Sequence, residues 1–494
     1  MDDEVNNSGV ALVLTLARYF KRWSLWSKDI IFLISADSTV GPQAWVDAYH
    51  NEHNEEYVES LKIKSGALQG AVAIDYPAGP WGHRYEKLHV VYDGVNGQLP
   101  NLDLLNTAIS IADGQMGITC AIQRMFSAGD SYKDKLTTMF RGMISQGLGH
   151  ATGPHSSFIP YHVDAITLVT VGDGWHDEMS LGRTVESLFR SLNNLLEHLH
   201  QSFFFYLLLQ SKRFVSIGTY LPSAMLIAMS FSITAMALWV KSGRPDAKPV
   251  NPASTRPSRR SNKPMLAKEA NPALDGKTTT HAADDSETTV VKSGSSVAIV
   301  PKVATATVER ALLTPILILL VPHLIGLVPL YHFNTHDLDY LMPVFLTAAN
   351  FSTLLPVFAA WVAYYAPTTP LTNQTITLVQ CFSLLLLGLF LAALSTLNFS
   401  LSFLIGVLAF PLSFVRRSKK TGWTFLQLAL LAVLNPVMVM QWGCKLLGAD
   451  LQVVLQVAAV GWKVYGLRTQ LVVWCVWFPA WVVGSTIVAG GLFL

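Results

Sequence analysis

Hydrophobic and polar positions change period near residue 200. Before it, Val10–Phe20 places apolar side chains at helical spacing and runs into Arg18, Lys21 and Arg22. Asp29–Ser35 is instead a short continuous apolar run (Ile30, Ile31, Phe32, Leu33, Ile34), the pattern of a buried parallel strand. Gln43–His50 reads as a helix, and Ala71–Asp75 and Leu88–Tyr92 read as strands. Asn101–Ile111 predicts a helix after Pro100 with Asp103 in its first turn; Asp164–Val171 is another strand and Ser180–Leu209 a long helix. Alternating strands and helices imply an α/β domain with a mostly parallel sheet over residues 1–200. A helix comes first and few strands precede it, so this sheet is expected to start mid-fold.

Residues 201–240 form a seam. An amphipathic helix (Arg190, Asn193, Glu197, His200) turns aromatic at Phe203, Phe204, Phe205 and Tyr206, where an interfacial belt would sit. After Lys212 and Arg213, the run Phe214–Val240 carries no charge; it exceeds the roughly 20 apolar residues that cross a bilayer core of about 30 Å. Residues 241–308 are rich in Pro, Ser, Thr, Ala and Lys, with 11 Lys or Arg against 6 acids, and read as a disordered cytoplasmic linker. Within 309–494, six further apolar segments follow at about 311–333, 340–365, 375–396, 398–415, 423–442 and 470–493, giving seven spans in all. Leu451–Leu467, with Lys463, reads as an interfacial or re-entrant helix. The basic linker and the run Arg416, Arg417, Lys419, Lys420 both fall on the cytoplasmic side. The amino-terminal domain is then on the far side and the carboxyl terminus in the cytosol. A translocated domain needs a signal, and the residues after Met1 are acidic and polar. The expectation is an amino-terminally truncated chain that lacks an upstream signal-anchor.

Composition supports a membrane protein: 51% of residues are hydrophobic and only 14% charged, against about 25% charged in soluble domains. A net charge of +2 gives no reason to expect a nucleic-acid partner. Cys120, Cys381, Cys444 and Cys475 are scattered, without a CxxC pair or zinc spacing. The spans hold no Asp, Glu, Lys or Arg near their centres. Their polar residues (His323, Asn350, Gln380, Asn435, Gln441) suit helix–helix hydrogen bonds rather than a proton or ion pathway. Prolines are frequent (Pro315, Pro322, Pro329, Pro343, Pro356, Pro411, Pro436, Pro479), so kinked helices and lateral grooves suited to a lipid are expected. No GxSxG, HExxH or P-loop pattern occurs. Sequons begin at Asn6, Asn350, Asn373 and Asn398; the last three fall within or against the membrane and are expected to stay unused.

Five stretches carry a family resemblance: WSKDIIFLISADSTVGPQAWVDAYH (26–50), NGQLPNLDLLN (96–106), LLEHLHQSFFFYLLLQSKRFVSIGTYLP (195–222), LNFSLSFLIG (397–406) and WFPAWVV (477–483). Together they resemble the GPI-anchor attachment protein family, the multispanning subunit of the endoplasmic-reticulum GPI transamidase. The resemblance implies an α/β luminal domain with an incomplete aminopeptidase-like sheet, followed by a multispanning α-helical transmembrane bundle. The family's luminal domain is in turn similar to di-zinc aminopeptidases. The bridging Asp of those enzymes finds Asp3 as its nearest counterpart, in imperfect register. Their paired glutamates fall near Ser35 and Ala36, with Asp37 only a neighbour. A further Asp ligand matches Asp75 in AVAIDY, and the last His ligand matches His155 in GPHSSF. A hydrolytic di-metal site needs a general base and a nearly complete ligand set. With the base lost, what remains is a weakly bound divalent metal on Asp3, Asp75 and His155, or a vestigial pocket in which Asp75 and His155 make ordinary hydrogen bonds.

The resemblance therefore implies a non-catalytic subunit with no cofactor. Its partners would be the other transamidase subunits, among them a cysteine-protease-like catalytic one, together with the GPI lipid and the membrane. GPI contacts are expected from Pro479 in the last span with Phe478 and Trp481 beside it, and from His200 and Gln201 at the luminal interface. Two competing readings are a metal-dependent amide-bond-forming enzyme using the aminopeptidase-like domain, and a free-standing lipid transporter. The first predicts bound metal and loss of function on changing Asp75 or His155; the second predicts activity without partner subunits.

Overall fold

The computed structural model describes residues 6–56, 59–77, 84–127, 129–195, 204–244, 288–293, 296–301, 308–365 and 371–493. The chain divides into two compact units, one of residues 1–239 with 311–494 and one of residues 240–310.

The first unit opens on helix α1 (Asn7–Phe20), which Asn6 caps by accepting from the Gly9 N–H. Its period-four stripe Leu12, Leu16, Phe20 is buried and packs with Leu181, Val185 and Leu188 of α5 (Glu178–Asn193). Between them come α2 (Val40–His50), β1 (Gly70–Asp75), β2 (Tyr85–Val91), α3 (Leu102–Ile109), β3 (Thr119–Ala121), α4 (Tyr132–Leu148) and β4 (Asp164–His176). The four strands form one sheet in the order β1-β4-β2-β3. β1 and β4 are parallel, as are β2 and β3, but β2 and β4 are antiparallel. The sheet is thus mixed and small, with β1 as an outer strand.

Two expectations fail here. The apolar run 29–35 joins no ladder, and Ile31, Phe32 and Ile34 are 41%, 38% and 50% exposed. Its ends are tied elsewhere: the Ser27 N–H donates to Asn193 Oδ1 at 2.7 Å, and Asp37 Oδ1 accepts from Thr39 and Gly41. The helix expected over Ser180–Leu209 ends at Asn193. Tyr206–Gln210 (β5) pairs back on Arg213–Ser216 (β6) as an antiparallel hairpin around Ser211 and Lys212. Tyr206 accordingly lies in the α/β core, its hydroxyl donating to the Pro100 carbonyl at 3.0 Å. Phe204, Phe205 and Phe214 stay exposed beside the first apolar helix, leaving them the belt-like part of the seam.

That helix is α6 (Ile217–Ser242). It is followed by α7 (Leu313–Thr335), α8 (Leu341–Tyr365), α9 (Asn373–Leu397), α10 (Phe399–Ala409), α11 (Thr421–Val433), α12 (Pro436–Leu447), α13 (Leu451–Tyr465), α14 (Thr469–Val472) and α15 (Phe478–Ala489). A π-helical turn, Val473–Trp477, joins the last two into one span, Thr469–Phe493. Five helices are long and apolar enough to cross a membrane; a sixth is counted if α11 and α12, bent by 60°, act together. The segment read as the fifth of the seven spans, 398–415, has α10 and a 3-10 turn over Phe410–Phe414, short of the roughly 20 residues a bilayer needs. In the second unit, the β-branched runs Thr288–Ser293 and Ser296–Pro301 pair as an antiparallel ribbon (β7 and β8) inside the segment read as a linker.

The α/β part and the helices meet at the end of α4. Gly149 closes α4 in the left-handed region (φ 65°), a conformation that costs a residue without a Cβ least. The Asn96 N–H then bonds the Gly149 carbonyl at 2.8 Å. Asn398, the cap of α10, donates to the Asn96 and Gln146 carbonyls at 3.0 and 2.9 Å while accepting from the Leu401 N–H. Ser400 donates to Gln146 Oε1 at 3.0 Å, and the Thr469 hydroxyl to the Leu148 carbonyl at 2.9 Å.

Candidate functional site

The expected site residues fall in two places. Asp75 and His155 line one cleft of about 2080 Å³ between the α/β region and the helical region, whose Leu447, Val457 and Tyr465 also line it. Phe478, Pro479 and Trp481 sit in the last span. Asp3, His200 and Gln201 lie outside the described residues.

Asp75 ends β1. The parallel register pairs Ala73 with Thr167 and Asp75 with Val169, so all four side chains share one face of the sheet. His155 lies on that face in the 3-10 turn Pro154–Ser157. It is 1% exposed, and both ring nitrogens are engaged. Nε2 is 3.1 Å from the Asp93 carbonyl, which can only accept. Nε2 therefore carries the proton, and Nδ1 accepts from the Thr167 hydroxyl at 2.7 Å. Burial pushes this imidazole down to about 4, which keeps it neutral. Burial likewise raises the Asp75 carboxyl above its ordinary value.

A metal ligand must offer a free nitrogen lone pair, and the hydroxyl of Thr167 occupies the one His155 has. Among the described residues no three His, Cys, Asp or Glu side chains gather closely enough to hold an ion. As placed, His155 has no lone pair free for a metal, and Asp3, the third residue of the expected set, lies outside the described residues. The same wall contains Asp93, 4% exposed, whose carboxyl is pushed up to about 6, by burial above all. Its Oδ2 accepts from Gln123 Nε2 at 2.5 Å. His89 beside it is held down to about 4 by burial and then by the Arg124 charge; its Nε2 accepts from the Arg124 N–H at 3.2 Å.

In the last span, Phe478 and Trp481 are each 2% exposed and Pro479 is buried with them. Proline lacks the N–H that would continue the ladder. The π turn absorbs this, the Phe478 N–H reaching back to the Val473 carbonyl. Gly326 of α7 lies against the Trp474 carbonyl so closely that any Cβ there would overlap the oxygen. Phe333 stacks on Trp474 at 5.8 Å, and Phe478 on Trp481 at 6.1 Å.

Trp481 also donates from Nε1 to the Leu431 carbonyl at 2.6 Å. That carbonyl is left over where α11 bends into α12: the Asn435 N–H bonds Ala432 instead. Asn435 caps α12, accepts from the Val437 N–H and donates to Ser352 Oγ at 2.8 Å. The indole thus ties the last span to the break in α11–α12. Beside the π turn, His323, Ser383, Leu386, Leu387, Phe390, Cys475, Val476 and Ala480 line a recess of about 140 Å³.

The bridging residues Asn398, Gln146 and Ser400 were not among the expected site residues. The only sequence signal at Asn398 is a sequon inside an apolar segment. Both amide hydrogens of Asn398 are committed to carbonyls, so this sequon has no free amide to modify.

Residues 1–485 match the sequence profile of the Gaa1-like, GPI transamidase component family. Over 244 residues the chain is 39% identical to the GPI transamidase component gaa1 of Schizosaccharomyces pombe, covering 48% of this chain and 42% of that one. It is 38% identical over 244 residues to the GPI transamidase component GAA1 of Saccharomyces cerevisiae, covering 48% and 38%. The matched part therefore spans less than half the length of these curated relatives. With the profile covering nearly all of its residues, this chain belongs to the Gaa1-like GPI transamidase component family.

Proposed function

We propose that the chain serves GPI attachment as a non-catalytic subunit, binding the GPI lipid and presenting it to a cysteine-protease-like catalytic subunit in the endoplasmic-reticulum membrane. One observation carries this reading: the apolar recess lies against the π turn that precedes Pro479, in a bundle whose helices carry charge only near their ends. Hydrocarbon is compatible with such a surface and ions are not. Phe478, Pro479 and Trp481 face inward, so they act by fixing the bend that shapes the recess. His200 and Gln201 are assigned to the phosphorylated head group at the luminal face, with the carboxyl terminus in the cytosol.

The test changes Pro479 to Leu, and separately Asp75 and His155 together to Ala, within the assembled transamidase. Assembly, co-purified GPI and anchor transfer are read for each. The proline variant should assemble but retain at most a tenth of the GPI, while the double variant keeps both lipid and transfer. Loss of transfer in the double variant, with assembly and GPI intact, would replace this reading by chemistry in the α/β cleft.

A further inference from the structure

Just past β3, the chain reverses in a turn that its residues do not favour. The Met125 N–H bonds the Ile122 carbonyl at 3.0 Å, and both central residues are left-handed, Gln123 at φ 51° and Arg124 at φ 55°. Turns with two such residues select Asn and Gly, because a side chain crowds the backbone there. Gln123 is accounted for within the fold: its Nε2 donates to the Tyr92 hydroxyl at 3.0 Å and to Asp93 Oδ2. Arg124 is fixed by its backbone alone. Its N–H donates to His89 Nε2, and its carbonyl accepts from Arg141 Nη1 at 3.4 Å. Its side chain is exposed and, among the described residues, makes no hydrogen bond or ion pair.

The Arg141 bond draws a second guanidinium to the same wall of the cleft. Arg141, Ile144, Ser145 and Leu148 all line that cleft and share one face of α4 by their spacing. His150 follows, half-buried. Burial, and then the Arg124 charge, hold both His150 and His89 below their ordinary values, so the guanidinium lies near both rings. No acid answers this charge. Among the described residues, ion pairs engage Glu59, Glu86, Asp113, Asp130 and Glu186, but neither Asp75 nor Asp93 of the cleft.

Two guanidiniums brought together repel unless an anion joins them. A carboxylate is satisfied by one planar fork, whereas donors arriving from two elements suit the three oxygens and nearly double charge of a phosphate monoester. The place suits a membrane-borne source as well as a soluble one. Arg141 stands seven residues, about 10 Å, along α4 from Leu148, whose carbonyl accepts from Thr469 at the start of the last span.

We propose that Arg124 and Arg141, with His150 beside them, form a binding site for a phosphate monoester, on a lipid head group or a soluble molecule. The site does not depend on GPI presentation by the bundle, so either can fail without the other.

The experiment uses the full chain in phosphatidylcholine nanodiscs. Phosphatidic acid is doped into the discs, or glycerol 3-phosphate is added to discs without it, and bound probe is counted by native mass spectrometry. One saturable equivalent is expected. Retention of phosphatidic acid alone would identify a lipid source; equal retention of both would mean that a soluble ester suffices. Arg124→Gln and Arg141→Gln should each weaken binding at least tenfold, and Arg124→Lys less than Arg124→Gln. Arg183→Gln, an equal loss of charge on an exposed residue outside the cleft, should leave it unchanged. Binding of neither probe, no weakening in either glutamine variant, an equal loss in Arg183→Gln, or equal competition by malonate would overturn the proposal.

Discussion

The helical region and the α/β region handle buried polar groups in opposite ways. Among the helices, polar side chains are neutral and are spent on backbone groups that helix breaks leave over. Trp481 takes the Leu431 carbonyl, Gln380 Nε2 takes the Val415 carbonyl at 3.0 Å where the α10 segment ends, and Asn435 caps α12. The α/β region buries ionisable groups as well, Asp93, His89 and His155, beside neutral ones such as Asn101, Gln146 and Thr167. A hydrocarbon surround offers no water to a freed carbonyl, so each bend there needs a matching donor. A domain in water can leave an edge open and hold a neutral histidine instead. The difference implies that the stability of the α/β region depends on pH.

The strongest challenge to this division is at Asn398, where the two regions share one side chain. Asn398→Ala removes the α10 cap, worth about 1 kcal/mol, and strands two buried carbonyls at about 1–3 kcal/mol each. A total loss of about 3–7 kcal/mol is expected, read as a lower unfolding midpoint in detergent together with faster proteolysis between the α/β region and α10. A loss below about 1 kcal/mol would mean that the two regions are held by other contacts. Within the bundle alone, Trp481→Phe keeps the ring and deletes the donor. It should cost about 1–3 kcal/mol, by the same amount at pH 5 and pH 7, and chemical-denaturant midpoints at the two pH values check both points.

How far these features can be read from sequence depends on whether their partners are local. α1, α2, β1, β2, α3 and β4 follow from periodicity because the repeating unit lies within each segment. The run 29–35 has the composition of a buried strand, but a strand exists only beside another, and this one is held at its ends by bonds at Ser27 and Asp37 without joining a ladder. Tyr206–Gln210 extends an apolar pattern that a helix and a strand share over so few residues; the turn at Ser211 and Lys212 decides it. Pro479, Phe478 and Trp481 were legible through the family resemblance alone. That Trp481 serves the Leu431 carbonyl was not, since it depends on where α11 breaks 50 residues earlier in the chain. Asn398 stood out only as an unusable sequon, because its true partners are about 250 and 300 positions away.

The smallest predicted effect sharpens the comparison most, because it needs the α/β region to respond to acid. His89 and His155 are both held down to about 4 in the folded chain, against about 6.5 when unfolded. Between these values the unfolded chain binds a proton on each that the folded chain refuses, so their contribution is full above 6.5 and is lost as the pH falls toward 4. Asp93 works the other way. Its carboxyl, raised to about 6, keeps a proton up to that pH that the unfolded chain has released above about 3.9. Between pH 4 and 6 the balance is two protons against one, and stability falls by about 1.4 kcal/mol for each unit of acidification. Asp93→Asn removes the opposing group and should roughly double that slope. His155→Asn should flatten it to near zero. Urea midpoints at pH 7, 6 and 5 for the three chains test the sign directly. A slope unchanged by both substitutions would place the acid response outside this cleft, and the contrast between the two regions would then have to rest on geometry rather than on charge.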